Sequence, residues 1–184
     1  MHPDGRTIFF SLQVRYIPWR DIGTYSFDIK GREWRSHGEW VLPFRNRGYY
    51  DRELDAWVGL ASDGHVYSCR VASRSGSMQG TVDLKMTKDK LLHEVGTDKR
   101  RHLGATLTYM GSSRFCIVET VVRDGVELRN AFRDGAHDSC VLHVTVFGLK
   151  YNCKGELETT SRRTTKSYAV SKILMDFVPK AFWM

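Results

Sequence analysis

The sequence predicts an all-β fold of antiparallel hairpins, propeller-like in arrangement and carrying one short helix, with a β-sandwich as the alternative. Three observations carry that expectation. The first segment alternates apolar and polar residues with period two, which marks a half-buried strand. Phe115-Cys116-Ile117-Val118 is apolar at every position, which requires cover on both faces. Turn signals recur near Gly31, Asp63-Gly64, Gly111-Ser112 and Lys154-Gly155, each beside an aromatic residue: Phe27, Tyr67, Tyr109 or Tyr151. Their uneven separations lie around the roughly 40 to 50 residues of a propeller blade.

In the first strand Ile8, Phe10, Leu12, Val14 and Tyr16 share a face, opposite Ser11, Gln13 and Arg15, and Pro18 ends it. Tyr25, Phe27 and Ile29 alternate again, and Lys30-Gly31 turns into Glu33-Trp34-Arg35. A further strand is expected from Glu39 to Pro43. Between Glu53 and His65, Leu54, Trp57 and Leu60 read as apolar anchors at the edge of a strand. Ser62-Asp63-Gly64 is the hairpin turn, its glycine free to take positive φ. Glu53, Asp55 and Asp63 then serve as turn and cap residues, and His65 to Val71 forms the next strand. Ser73 to Ser77 is a loop by composition.

Lys85 to Val95 carries the helical expectation, since Leu91, Leu92 and Val95 share a face and Gly96 can end it. Ala105 to Met110 and Arg114 to Val122 flank the turn Gly111-Ser112-Ser113. Val141 to Tyr151 and Leu157 to Val170 flank Asn152-Cys153-Lys154-Gly155. Residues 1–184 are long enough for one β-rich domain with a sizeable core, or for part of a repetitive one.

Charge and cysteine usage bound the function classes. The chain has 28 Lys and Arg against 21 Asp and Glu, for a net charge of +7. The basic residues are scattered, so a mildly basic surface is expected before a nucleic-acid site. No apolar run approaches the roughly 20 residues of a membrane span, and the N-terminus does not read as a signal peptide. Cys69, Cys116, Cys140 and Cys153 form no CxxC pair; reduced, partly buried thiols in a cytoplasmic or nuclear setting are expected.

Each chemical motif meets a structural counter-reading. His137, Cys140 and His143 have metal-ligand character, but on one strand His137 and His143 face one side and Cys140 the other. Cys116 and Cys69 sit among apolar residues, where a thiol is a small hydrophobe. Lys99-Arg100-Arg101-His102 and Arg162-Arg163 with Lys166 can contact phosphate, yet they equally suit loops and protected sheet edges. The sequence therefore assigns no catalytic residue, no metal ligand and no cofactor. An enzyme assembled from the distant residues His65, Cys69, His137 and His143 is the alternative, and a basic nucleic-acid-binding domain is a third.

Several phrases occur together: Tyr50 to Leu60, Arg101 to Gly111 followed by Phe115 to Glu119, Leu142 to Tyr151 with Lys154 to Leu157, and Ala181 to Met184. As a set, over roughly residues 40 to 184, they resemble a large, mostly uncharacterised group of rice-type grass proteins. Its members are described as F-box-like or as carrying a plant domain of unknown function. The resemblance implies a propeller-type chain with a recognition or scaffold role, in the setting of ubiquitin ligases. No Leu/Pro-rich segment of F-box character precedes the sheet region, so direct docking to a ligase adaptor is not expected. The chain then corresponds to the C-terminal β-rich part of that architecture. The functional expectation is a non-enzymatic module that binds another protein, away from membranes.

Overall fold

Short alternating segments separated by tight turns pair most cheaply with their immediate sequence neighbours, and the described strands do so within each sheet. The structure, a computed structural model, describes residues 4–12, 22–70, 82–93, 101–127, 139–170 and 180–182. Among them lie three antiparallel meanders. The first joins β1 (Thr7–Leu12), β2 (Gly23–Asp28) and β3 (Glu33–Ser36) in that order. The second is β4 (Tyr49–Asp51), β5 (Ala56–Leu60), β6 (Val66–Arg70) and β7 (Asp83–Met86). The third runs β8 (His102–Gly111), β9 (Arg114–Val122), β10 (Cys140–Tyr151) and β11 (Leu157–Val170). The all-β, antiparallel expectation holds, and among the described residues no sheet closes into a barrel.

The hairpin turns fall where the glycines and Asx residues place them. Asp28 Oδ1 accepts from the backbone N–H of Lys30 and Gly31. Ala61 and Gly64 close the β5–β6 turn, with Ala61 N–H donating to His65 O at 3.0 Å and Gly64 at φ +92°. Asp63 Oδ1 accepts from the His65 N–H, so this acid is a turn residue as expected. Asn152 Oδ1 accepts from Lys154 and Glu156 N–H across the last turn.

The second and third sheets share one core. Ala56, Val58 and Leu60 from β5 and Val66 from β6 meet Ala105, Leu107, Phe115, Ile117, Phe147 and Leu149 of the third sheet. Every residue of β5 is buried, because its other face carries Trp57 and Gly59 toward the first sheet, where Phe9 lies 5.7 Å from Trp57 between ring centroids. Strand β5 is thus covered on both sides, whereas β7 at the far edge of the sheet is largely exposed. Phe115, Ile117 and Glu119 face the shared core, while Cys116 and Val118 are half-buried on the opposite face. There Thr108 Oγ1 donates to Ala181 O of the C-terminal segment.

Three expectations are corrected. The helix over Lys85 to Val95 does not form. Asp83–Met86 pairs instead with β6, Tyr67 opposite Met86 and Arg70 opposite Asp83. Beyond it the chain turns: Thr87 N–H donates to Val66 O, and Leu91 N–H to Gly64 O. Leu91 is fully buried in the shared core, so its helical spacing to Leu92 reports one-sided burial of a loop, and tertiary contact overrides local periodicity. Val95 and Gly96 lie outside the described residues. Glu39 to Pro43 is not a strand either. It crosses from the first sheet to the second, with Leu42 N–H on Ser11 Oγ and Trp40 O accepting from Thr24. Finally, the apolar face of β1 is not its buried face: Phe10 and Leu12 are 40% and 46% exposed, and it is Phe9 that packs inward. Val14, Tyr16, Pro18 and the loop Ser73 to Ser77 lie outside the described residues.

Candidate functional site

The alternation of β5 and the insertion of a connector between two sheets create a cleft of about 830 Å³. Phe9 from β1, Phe44 from the connector, Tyr49 and Tyr50 from β4, Trp57 from β5 and Tyr109 from β8 line it. A volume of this size, with mainly aromatic walls and a few polar groups, has the proportions of a ligand site. The first strand of each of the three sheets contributes to it.

Each wall has a local cause. Trp57 stands opposite Tyr50 in the β4–β5 register, with the rings 5.7 Å apart at 72°. Edge-to-face contact of this kind fixes both rings. Tyr50 donates a short hydrogen bond to Asp55 Oδ1; burial first, then this bond and the Asp55 charge, push its phenol up to about 12. Asp55, expected to be a turn or cap residue, is one: it sits at φ +48° in the β4–β5 turn. Phe44 packs directly on backbone, since a Cβ at Gly59 would lie 2.2 Å from its Cγ. The connector is pinned by the Phe44–Ala61 bridge and by Arg45 N–H on Leu60 O at 2.7 Å. Ser11, Asn46 and Arg47 supply polar atoms, and Arg47 is the one charged side chain among the lining residues.

Beneath Tyr109 a polar knot joins the second and third sheets. Asp51 is fully buried; its Oδ1 accepts from Leu54 N–H and Ser113 Oγ–H, each at 2.9 Å. The Ser113 hydroxyl also lies 3.1 Å from Glu53 Oε2. One proton is therefore shared between two carboxylates. Asp51 Oδ2 has no hydrogen-bond partner among the described residues. Burial, and then the Asp51 carboxylate, raise the Tyr109 phenol above its ordinary value.

The residues singled out in the sequence do not assemble. His65 Nδ1 bonds Thr87 O. Cys69 is fully buried and its thiol is pushed up to about 12, by burial and then by Asp83. His143 belongs to the third sheet, where burial first and His93 second lower its pKa. Its Nδ1 is 2.8 Å from Ser167 Oγ, and its ring stacks on His93 at 4.4 Å. Glu119, buried beside it, accepts from His93 N–H and from His102 Nε2. Cys140 and His143 do face opposite sides of β10, opposite Val122 and Glu119; His137 lies outside the described residues. Among the described residues no group of three His, Cys, Asp or Glu side chains is arranged to hold a metal ion. All four cysteines are free.

The basic clusters are partly spoken for. Arg101 donates to the carbonyls of Val122, Arg123 and Val126, and His102 pairs with Glu119 at 3.0 Å. Lys99 and Arg100 lie outside the described residues, and Lys166 is exposed on the edge strand β11. The aromatic cleft was not legible in the sequence. Its one signal was Gly59, a glycine inside an apolar strand, which marks close approach by another group.

These observations define a class: an all-β protein of sequential antiparallel meanders with an aromatic cleft where their first strands meet. The chain belongs to a family of proteins of unknown function, DUF1668, whose model matches residues 1–168. No curated protein and no solved structure matches it. Among the described residues no helix is long and apolar enough to cross a membrane.

Proposed function

We propose that the chain is a non-enzymatic recognition module that receives part of a protein partner in the aromatic cleft. The cleft itself is the observation that carries this reading: rigid rings held at the junction of three sheets, one arginine at the wall, and walls fixed before any ligand arrives. Preorganised aromatic surface binds with little loss of side-chain freedom. A propeller-like arrangement of the sheets accompanies the proposal. In its favour, β4 and β5 approach β8 closely, whereas farther out the sheets are spaced by Tyr151, which donates to Ser68 and lies under Arg70 and Lys85. Such a wedge, narrow at the first strands, is what radial stacking of blades requires. The resemblance to grass F-box-like proteins extends the proposal to substrate recognition for a ubiquitin ligase, in the cytoplasm or nucleus.

The test is affinity purification from plant tissue with the full chain, read by mass spectrometry, beside a Phe9→Ala variant of the cleft wall. The expected result is a protein retained by the parent chain and lost by the variant. Equal recovery by both, or nothing above a control bait, removes the cleft from the interaction.

A further inference from the structure

Resting on that reading, we propose that the cleft takes an extended peptide segment that presents an apolar or aromatic side chain next to a carboxylate. The apolar half follows from the walls. Phe9, Tyr50 and Trp57 meet at 59° and 72° rather than stacking flat, so they bound a slot that accepts another ring or a branched chain edge-on. The acidic half follows from charge. Arg47 is exposed and is the one charged side chain among the lining residues. No Asp or Glu is among the lining residues; of the acids near the wall, Asp51 is bonded through Oδ1 by Leu54 and Ser113, Glu53 by Ser113 and Asp55 by Tyr50. A cationic ligand finds no carboxylate among the lining residues, whereas a ligand carboxylate finds a guanidinium able to bond it twice. The extended form follows from topology. Both β1 and β4 are edge strands of their sheets, and an edge offers backbone N–H and C=O groups to a peptide laid beside it.

The experiment is selection of a random linear-peptide library displayed on phage against the immobilised full chain and, in parallel, against Arg47→Glu. The expected result is enrichment of Asp or Glu beside Phe, Trp, Tyr or Leu by the parent chain, and a switch to Lys or Arg in that place by the variant. A synthetic peptide of the enriched sequence binds Arg47→Gln about tenfold or more weakly, the loss expected for one hydrogen bond to a charged group. Arg47 is exposed, so the melting temperature of both variants stays at the parent value, which separates lost contact from lost fold. Enrichment of basic sequences, the same sequences from both baits, or no enrichment overturns the inference. So does displacement of the peptide by a single-stranded oligonucleotide at physiological salt, which assigns the cleft to nucleic acid. If the plant partner is lost by Phe9→Ala yet still retained by Arg47→Glu, the recognition module stands and this ligand chemistry falls.

Discussion

Replacing Gly59 by alanine tests the cleft at its narrowest point. The new Cβ lies 2.2, 2.3 and 2.8 Å from Cγ, Cδ1 and Cδ2 of Phe44. Ordinary carbon contacts are about 3.5–4.0 Å, so the ring must retreat by roughly 1.3 Å or more. It cannot slide sideways freely, because the Phe44 backbone is bridged to Ala61 and a Cβ at Gly48 would also meet the ring at 2.8 Å. Overpacking of this kind costs about 1–3 kcal/mol. Replacing glycine where φ is not positive returns about 0.4–1 kcal/mol through the unfolded chain. The net expectation is a loss of about 1–2 kcal/mol, or a fall in Tm of roughly 2–8 °C for a chain of this size. Urea titration of Gly59→Ala, Phe44→Ala and the double variant separates clash from general damage. Without the Phe44 ring the alanine has nothing to strike, so the double variant is about as stable as Phe44→Ala alone. A coupling of about 1 kcal/mol or more supports the geometry; additivity within roughly 0.5 kcal/mol refutes it.

Thiol reactivity and pH dependence give two further predictions. At mildly alkaline pH an aromatic disulfide reagent titrates the exposed Cys153 rapidly and the half-buried Cys116, raised by burial, more slowly, while the buried Cys69 and Cys140, raised likewise, react only on unfolding; a second fast thiol contradicts that placement. His143 and His37 are both lowered below 6.5 by burial first, and then by His93 and Arg35 respectively. Between 6.5 and these lowered values the unfolded chain holds more protons than the folded one, so their contribution is complete above 6.5 and is lost as pH falls through that window. Thermal melts across this window should therefore show a shallower loss for His143→Asn than for the parent chain; an equal or steeper loss sinks the assignment.

Much of the fold could be read from local chemistry, because hairpins are local. The turns at Asp63-Gly64, Gly111 and Gly155 carry glycines at positive φ, while at Gly31 it is the next residue, Arg32, that takes φ +55°, and the structure places each turn between paired strands. What failed was whatever depends on the partner across the gap. Leu91 and Leu92 look helical because both meet the core, yet a fourth strand and a loop bury them equally well. Phe10 and Phe9 are neighbours of the same type on opposite faces, and the sequence cannot say which face meets Trp57. For the same reason the cleft escaped notice: its rings come from β1, the connector, β4, β5 and β8, and only the stacking of three sheets brings them together. The Asp51–Ser113 pair, 62 positions apart, left no local trace.

That pair links fold to site. The β8–β9 turn puts Ser112 and Ser113 at φ +47° and +51°, a conformation that costs a non-glycine residue roughly 1–2 kcal/mol and that Asn-Gly would adopt more easily. Glycine in place of Ser113, however, has no hydroxyl to bridge Asp51 and Glu53. The β4–β5 turn carries its own left-handed residue, Asp55, whose carboxylate holds Tyr50. Two strained turns from different sheets thus meet through one shared proton, and on either side of that knot stand Tyr49 and Tyr109, 6.3 Å apart in the cleft wall. Strain of this kind persists only where surrounding contacts over-determine it. Here it locks the second sheet to the third at the edge where the aromatic walls must be held, so the unfavourable backbone angles and the open cleft are two parts of one arrangement.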